Sequence, residues 1–217
     1  ALVKVSGAAD PADSRDYLRC VYIHGSKAVA TDGKEVRVTE FEGASPVNVM
    51  VPLGFIRNIN ATFDGDVDFY ATDRCVMVSD GKTSIRSSLI EGQYPDYERV
   101  MIGAQNSGVN ICSVDSDDFM SALKMATAIG KSGEKAAQHI NTMLKFREDN
   151  IEVITRNSNG EEGFSECSCT RHTGEDIDIG LNGEWVLGNA VALNCDRFEI
   201  RYGSDQSPVT MAHGNDA

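Results

Sequence analysis

The sequence repeats itself, and a repeat of this length points to two similar folded units rather than one continuous core. The stretch "ALVKVSGAADPADSRDYLRCVYIHGSKAVATDGKEV" from Ala1 and the stretch "ALKMATAIGKSGEKAAQHINTMLKFREDNIEVITRNSNGE" from Ala122 run in one order. Each reads as the end of an amphipathic helix, a polar loop, an apolar strand, a turn and another strand. The correspondence continues with "VPLGFIRNINATFDGDVDFYATDRCVMVSDG" from Val51 and "LNGEWVLGNAVALNCDRFEIRYGSDQSPVTM" from Leu181. Both hold a second helix, a tight turn (Asp64-Gly65-Asp66; Asn194-Cys195-Asp196) and a strand. Each half is therefore helix, two or three strands, helix, strands, which is the α+β class with helices on one side of antiparallel sheet. The polar, glycine-bearing stretch "IGAQNSG" at 102–108 reads as the linker, giving domains 1–104 and 108–217. Phe55 and Trp185 fall at similar places in the two second helices and are expected to anchor the two cores.

The ends of the repeat do not match. "VNICSVDSDDFMS" at 109–121 has no counterpart before Ala1, and "IRSSLI" with the turn after it has none after Ala217. If both halves are the same unit, about a dozen residues are expected to be missing from each end.

Composition limits the function classes. The net charge is −13, so long-range electrostatics repel nucleic acid and any contact with it must be local. No apolar run approaches the roughly 18 residues that would cross a bilayer. The six cysteines lack C-x-x-C pairs and read as reduced core residues. With no basic-then-apolar leader at Ala1, the expected location is cytoplasmic.

Catalytic chemistry is not expected, and neither is a metal or cofactor. His24, His139, His172 and His213 are scattered, with none at metal-ligand spacing from another. No phosphate loop, nucleophile elbow or H-E-x-x-H occurs. "DSDD" at 115–118 precedes "FMSALKMA" and reads as a helix N-cap with acids on the first turn, not a cation site. "GEDIDIG" at 174–180 alternates like a half-exposed strand.

One stretch asks for an explanation. "SLIEGQYPDYERV", at 88–100, takes an alternating strand straight into Tyr94-Pro95-Asp96-Tyr97. Proline cannot donate to a ladder and drives the preceding residue extended, so the strand must stop and lead out through an aromatic-flanked turn.

Together with "VATDGKEV" at 29–36, that exit resembles the bacterial DNA polymerase III beta subunit, the sliding clamp family. The middle domain of that family has a similar Ala-Thr-Asp-Gly-His-Arg-Leu strand turn and a similar Gly-x-Phe-Pro-Asp-Tyr-x-x-Val exit. With "DYLRCVYI" before the motifs and "DSDDFMSALKMA" after them, the likeness covers essentially the whole chain, as the middle and C-terminal clamp domains.

The resemblance implies a non-enzymatic DNA clamp, a processivity factor that encircles duplex DNA without reading its sequence. Peptides of DNA polymerases and clamp loaders would dock in an apolar groove, with Pro95, Arg99 and Val100 as one wall and Thr31, Gly33, Lys34, Glu35 and Val36 as the other. Lys34-Glu35-Val36 departs from the family's His-Arg-Leu and is expected to reverse the charge at the groove's edge. The family's C-terminal Met-Pro-Met-Arg-Leu strand has no match in "SPVTMAHGNDA". Lys4, Arg57, Lys124, Lys131 and Lys135 are the candidate DNA-facing cations; the fourth helix, "NGEWVLGNAVALNCD", offers none. Rings of the family contain six domains, so a two-domain chain would close as a homotrimer through edge-strand pairing. The alternative is a clamp-fold module that binds such peptides, as a competitor, without forming a ring.

Overall fold

The computed structural model describes residues 1–43, 45, 47–130 and 141–213. The chain divides into two compact units, Ala1–Tyr97 and Glu98–Ala217.

In the first unit, α1 (Leu2–Ser6) is followed by a single 3-10 turn and by β1 (Cys20–His24), β2 (Lys27–Thr31), β3 (Val36–Glu40) and β4 (Val49–Pro52). Then come α2 (Leu53–Thr62), β5 (Asp68–Ala71), β6 (Cys75–Ser79) and β7 (Ser84–Ser88). The first four strands form an antiparallel sheet in the order β3-β2-β1-β4, and the last three a second sheet, β5-β6-β7. The β1–β2 hairpin closes on Gly25-Ser26, and Gly25 takes the positive φ of 60° that such a tight turn demands. One face of the first sheet supplies Val21, Ile23, Ala28, Ala30, Val49 and Val51 to a core. Leu53, Phe55 and Ile56 of α2, and Val76 and Val78 of β6, close over it. Helices α1 and α2 pack together.

Helix α3 (Tyr97–Ser107) occupies the stretch read above as a linker. The division of the chain falls at its first residue rather than within 102–108. Its buried positions Tyr97 and Ala104 stand two helical turns apart, with partly buried Met101 between them. That spacing outweighs the polar residues and Gly103, whose helix cost is only about 1 kcal/mol.

The second unit contains β8 (Asn110–Asp115), α4 (Ser116–Gly130), β9 (Asn141–Phe146), β10 (Asn150–Arg156), β11 (Glu162–Thr173) and β12 (Ile177–Asn182). It ends with α5 (Gly183–Leu193), β13 (Arg197–Tyr202) and β14 (Thr210–Ala212). All its strands join one antiparallel sheet, β12-β9-β10-β11-β8-β13-β14. Asp115 Oδ1 caps α4, accepting from the backbone N–H of Asp117 and of Asp118 at 3.1 Å each, as "DSDD" leads one to expect. Asn182 caps α5 in the same way, and Asn194 ends that helix in the left-handed region at φ 50°. The close seat of α4 on β11 needs Gly163, where a Cβ would run into the Ala126 carbonyl oxygen. Phe55 is buried, as its place in the repeat implies, but Trp185 is only partly so, and Val186 takes the core position in α5.

The repeat is visible in the topology. The order β3-β2-β1-β4 recurs as β11-β10-β9-β12, each flanked by its helix pair. The difference lies in β8. It pairs with both β11 and β13 and so welds the second unit's strands into one sheet. Among the described residues of the first unit nothing takes that place, and β3 and β5 remain the edges of separate sheets.

Candidate peptide-binding site

The 31–36 turn is braced by its own side chains. Thr31 Oγ1 accepts from Gly33 N at 2.9 Å and donates to the Glu35 carbonyl oxygen at 2.5 Å. Asp32 Oδ1 accepts from the N–H groups of Lys34 and Glu35, each at 2.8 Å. Gly33 sits at φ 87°, where a side chain would be strained. These bonds account for Thr31, Asp32 and Gly33 at this turn.

Glu35 is not an open acid at the edge. Its carboxylate pairs with the Arg37 guanidinium at 3.4 Å, and the two side chains are only 11% and 14% exposed. The guanidinium missing from the position of Glu35 is thus supplied two residues later and spent on that acid. Lys34 and Gly33 are the exposed residues of the turn.

Strand register puts Val36 opposite Thr31. Tyr22, Val29 and Val38 form the next row of the same face, the one turned away from the helix-covered core. The exit segment lies on this face. Ile90 bridges to Met50 on β4, Tyr94 stacks on Tyr22 with ring centroids 4.5 Å apart, and the Tyr97 hydroxyl meets His24 Nδ1 at 3.0 Å. Tyr94 is 8% exposed, and burial pushes its phenol well above the usual range. Pro95, next to this anchor, is exposed. The segment after β7 (Ser84–Ser88) thus returns the chain across the sheet that carries the 31–36 turn. Arg99 and Val100 are exposed on α3, in the second unit, Val100 to 54%.

Sequence reasoning missed the aromatic cluster of Tyr22, His24, Tyr94 and Tyr97. The signal was present as Tyr and His two apart on β1, opposite a Tyr-x-x-Tyr exit.

Of the cations expected to face DNA, Lys4, Arg57 and Lys124 are exposed on α1, α2 and α4. Lys131 and Lys135 lie outside the described residues. Helix α5 offers no cation and exposes Glu184 and Val191. No group of His, Cys, Asp and Glu among the described residues could hold a metal ion, and no described helix is long and apolar enough to cross a membrane.

Two α+β units, each a helix pair over antiparallel sheet with one shared strand order, define a clamp fold. Solved structures similar to it along this chain include bacterial beta sliding clamps. The DNA polymerase III beta subunit of Pseudomonas aeruginosa superposes with a TM-score of 0.85 over 99% of this chain and 60% of its own, at 19% identity. The Caulobacter crescentus clamp gives 0.84 over 99% and 59%, at 24% identity. A Bartonella birtlesii clamp bound to griselimycin gives 0.82 over 100% and 60%, at 22% identity. In sequence, the curated beta sliding clamp of Caulobacter vibrioides is 26% identical over 223 residues, covering 96% of this chain and 58% of its own. That of Streptococcus pneumoniae is 23% identical over 216 residues, 94% and 55%. No protein-family model matches the chain. The likeness read from two short motifs thus extends along nearly the whole chain, which spans less than three fifths of the length of these curated relatives.

Proposed function

We propose that the chain serves as a sliding clamp, a non-enzymatic processivity factor that encircles duplex DNA and tethers a polymerase through a short peptide. On this reading the first unit stands for a middle clamp domain and the second for a C-terminal one, and the chain works in the cytoplasm. The peptide groove comprises Thr31, Gly33, Lys34, Glu35, Val36 and Pro95, with Arg99 and Val100 from α3. The observation that carries the proposal is the seating of the Tyr94-Pro95 segment on the sheet face that bears Thr31 and Val36, inside a chain whose two units share the clamp architecture. An apolar floor with Lys34 at its rim suits a linear motif with apolar anchors.

DNA contact would come from Lys4, Arg57 and Lys124, sequence-independent and salt-sensitive. Six domains per ring would make the closed form a homotrimer of a two-domain chain. A net charge of −13 and the cation-free α5 favour a second reading, a clamp-fold peptide binder that never closes a ring. Light scattering separates the two: three chain masses support the ring, and a monomer at all concentrations supports the second reading. The groove is tested with griselimycin, the ligand of the Bartonella clamp, as probe. Pro95→Glu with Val100→Glu should abolish its binding while circular dichroism stays native; unchanged affinity removes the groove assignment.

A further inference from the structure

Six cysteines are free, and two of them face one another inside the second unit. Register pairs Cys169 of β11 with Val114 of β8 and Arg171 of β11 with Cys112 of β8. Cys112 and Cys169 are therefore diagonal neighbours on the inward face of adjacent antiparallel strands. The Cys169 thiol donates to the Arg147 carbonyl oxygen at 3.9 Å, and the closeness of the two sulfurs raises the pKa of Cys112 and lowers that of Cys169. Cys112 is 1% exposed, whereas Cys169 is half-buried and lines an open depression of about 570 Å³ with Glu148, Arg171 and His172. One sulfur is thus reachable from solvent and the other waits behind it. The register of β11 slips between Arg171 and Thr173, which bends the strand beside the pair.

We propose that Cys169 and Cys112 form a peroxide-responsive dithiol, Cys169 as the attacking thiol and Cys112 as the resolving one. The Cys169 thiolate attacks a peroxide oxygen: an S–O bond forms, the O–O bond breaks, and the leaving hydroxide takes up a proton as water. The Cys112 sulfur then attacks the sulfenic sulfur of Cys169: an S–S bond forms, the S–O bond breaks, and water leaves with the Cys112 proton. Two thiols lose two electrons and two protons, and hydrogen peroxide becomes two waters. The product cross-links β8 to β11. Cys167 is not the resolving group, because it lies two residues along the same extended strand, where its side chain runs parallel to that of Cys169 instead of reaching toward it.

The test is brief treatment of the fully reduced protein with hydrogen peroxide, alkylation, and peptide mapping without reductant. The expected result is one linked pair of peptides carrying Cys112 and Cys169, a loss of about 2 Da in intact mass, and reversal by dithiothreitol. Cys112→Ser should leave Cys169 as a sulfenic acid that dimedone captures. A Cys167–Cys169 link, Cys169 oxidised with Cys112 still free, or both thiols unreacted while half-buried Cys75 is oxidised would each overturn the proposal.

Discussion

Tyr94→Ala should release the exit segment from the sheet that bears the 31–36 turn. Tyr94 is 8% exposed and stacks on Tyr22 at 4.5 Å, with Tyr97 set edge-on to both rings. Truncating a buried aromatic to alanine costs about 3–5 kcal/mol, and the lost stack accounts for up to about 1 of it. The Tyr94 hydroxyl is buried without a partner among the described residues, so no hydrogen bond is lost with it. About 3 kcal/mol is therefore the expected loss, which for a unit of this size lowers its melting transition by roughly 10–20 °C. Tyr94→Phe keeps the ring and removes only the orphan hydroxyl, so it should melt within a few degrees of wild type or slightly above. Scanning calorimetry reads the stability, and griselimycin titration at a temperature where both variants are folded reads the groove. Binding should fall at least tenfold in Tyr94→Ala and persist in Tyr94→Phe. A Tyr94→Ala protein with wild-type melting and wild-type affinity would refute the claim that this ring holds the groove's wall.

Three further outcomes are expected. Asp115→Ala removes the cap from two α4 N–H groups and should destabilise the second unit by about 1 kcal/mol in urea, while Asp115→Asn or Ser restores most of it. Gly163→Ala should cost about 1–3 kcal/mol, because the new methyl meets the Ala126 carbonyl and Ile129 where α4 sits on β11; a neutral result would show that contact to be slack. Asp13, hydrogen-bonded by the Arg15 guanidinium at 2.8 and 2.9 Å, is pulled down to about 2, so the pair's contribution is present above pH ~4 and is lost as pH falls toward 2. Carboxyl NMR should show that midpoint and its return toward 4 in Arg15→Gln.

Much of the architecture is readable because its signals are local. The apolar alternation of β10, the Asp115 cap and the two helix–strand repeats each follow from neighbouring residues. What fails to show depends on packing. Gly103 and the polar residues of 102–108 look like a linker, whereas helix α3 is revealed only by the spacing of Tyr97, Met101 and Ala104. Glu35 reads as a bare acid in a turn, although Arg37, two residues on in β3, covers it; that pairing depends on side-chain direction and not on the order of residues. The stack of Tyr94 on Tyr22 joins residues far apart in the chain, so no window of sequence contains it. Thr31 and Gly33 are legible as turn residues, since hydroxyl and carboxylate bonds to nearby N–H groups fix that geometry.

The central claim is that the protein encloses DNA, and topology tests it most directly. Protein assembled on a nicked circular duplex, spontaneously or with a clamp loader, is washed at moderate salt, and the circle is then cut once. The account predicts retention on the closed circle and prompt release from the linear product, because sparse cations on α1, α2 and α4 cannot hold DNA without enclosure. Equal retention before and after the cut, or no retention on the circle, would contradict it.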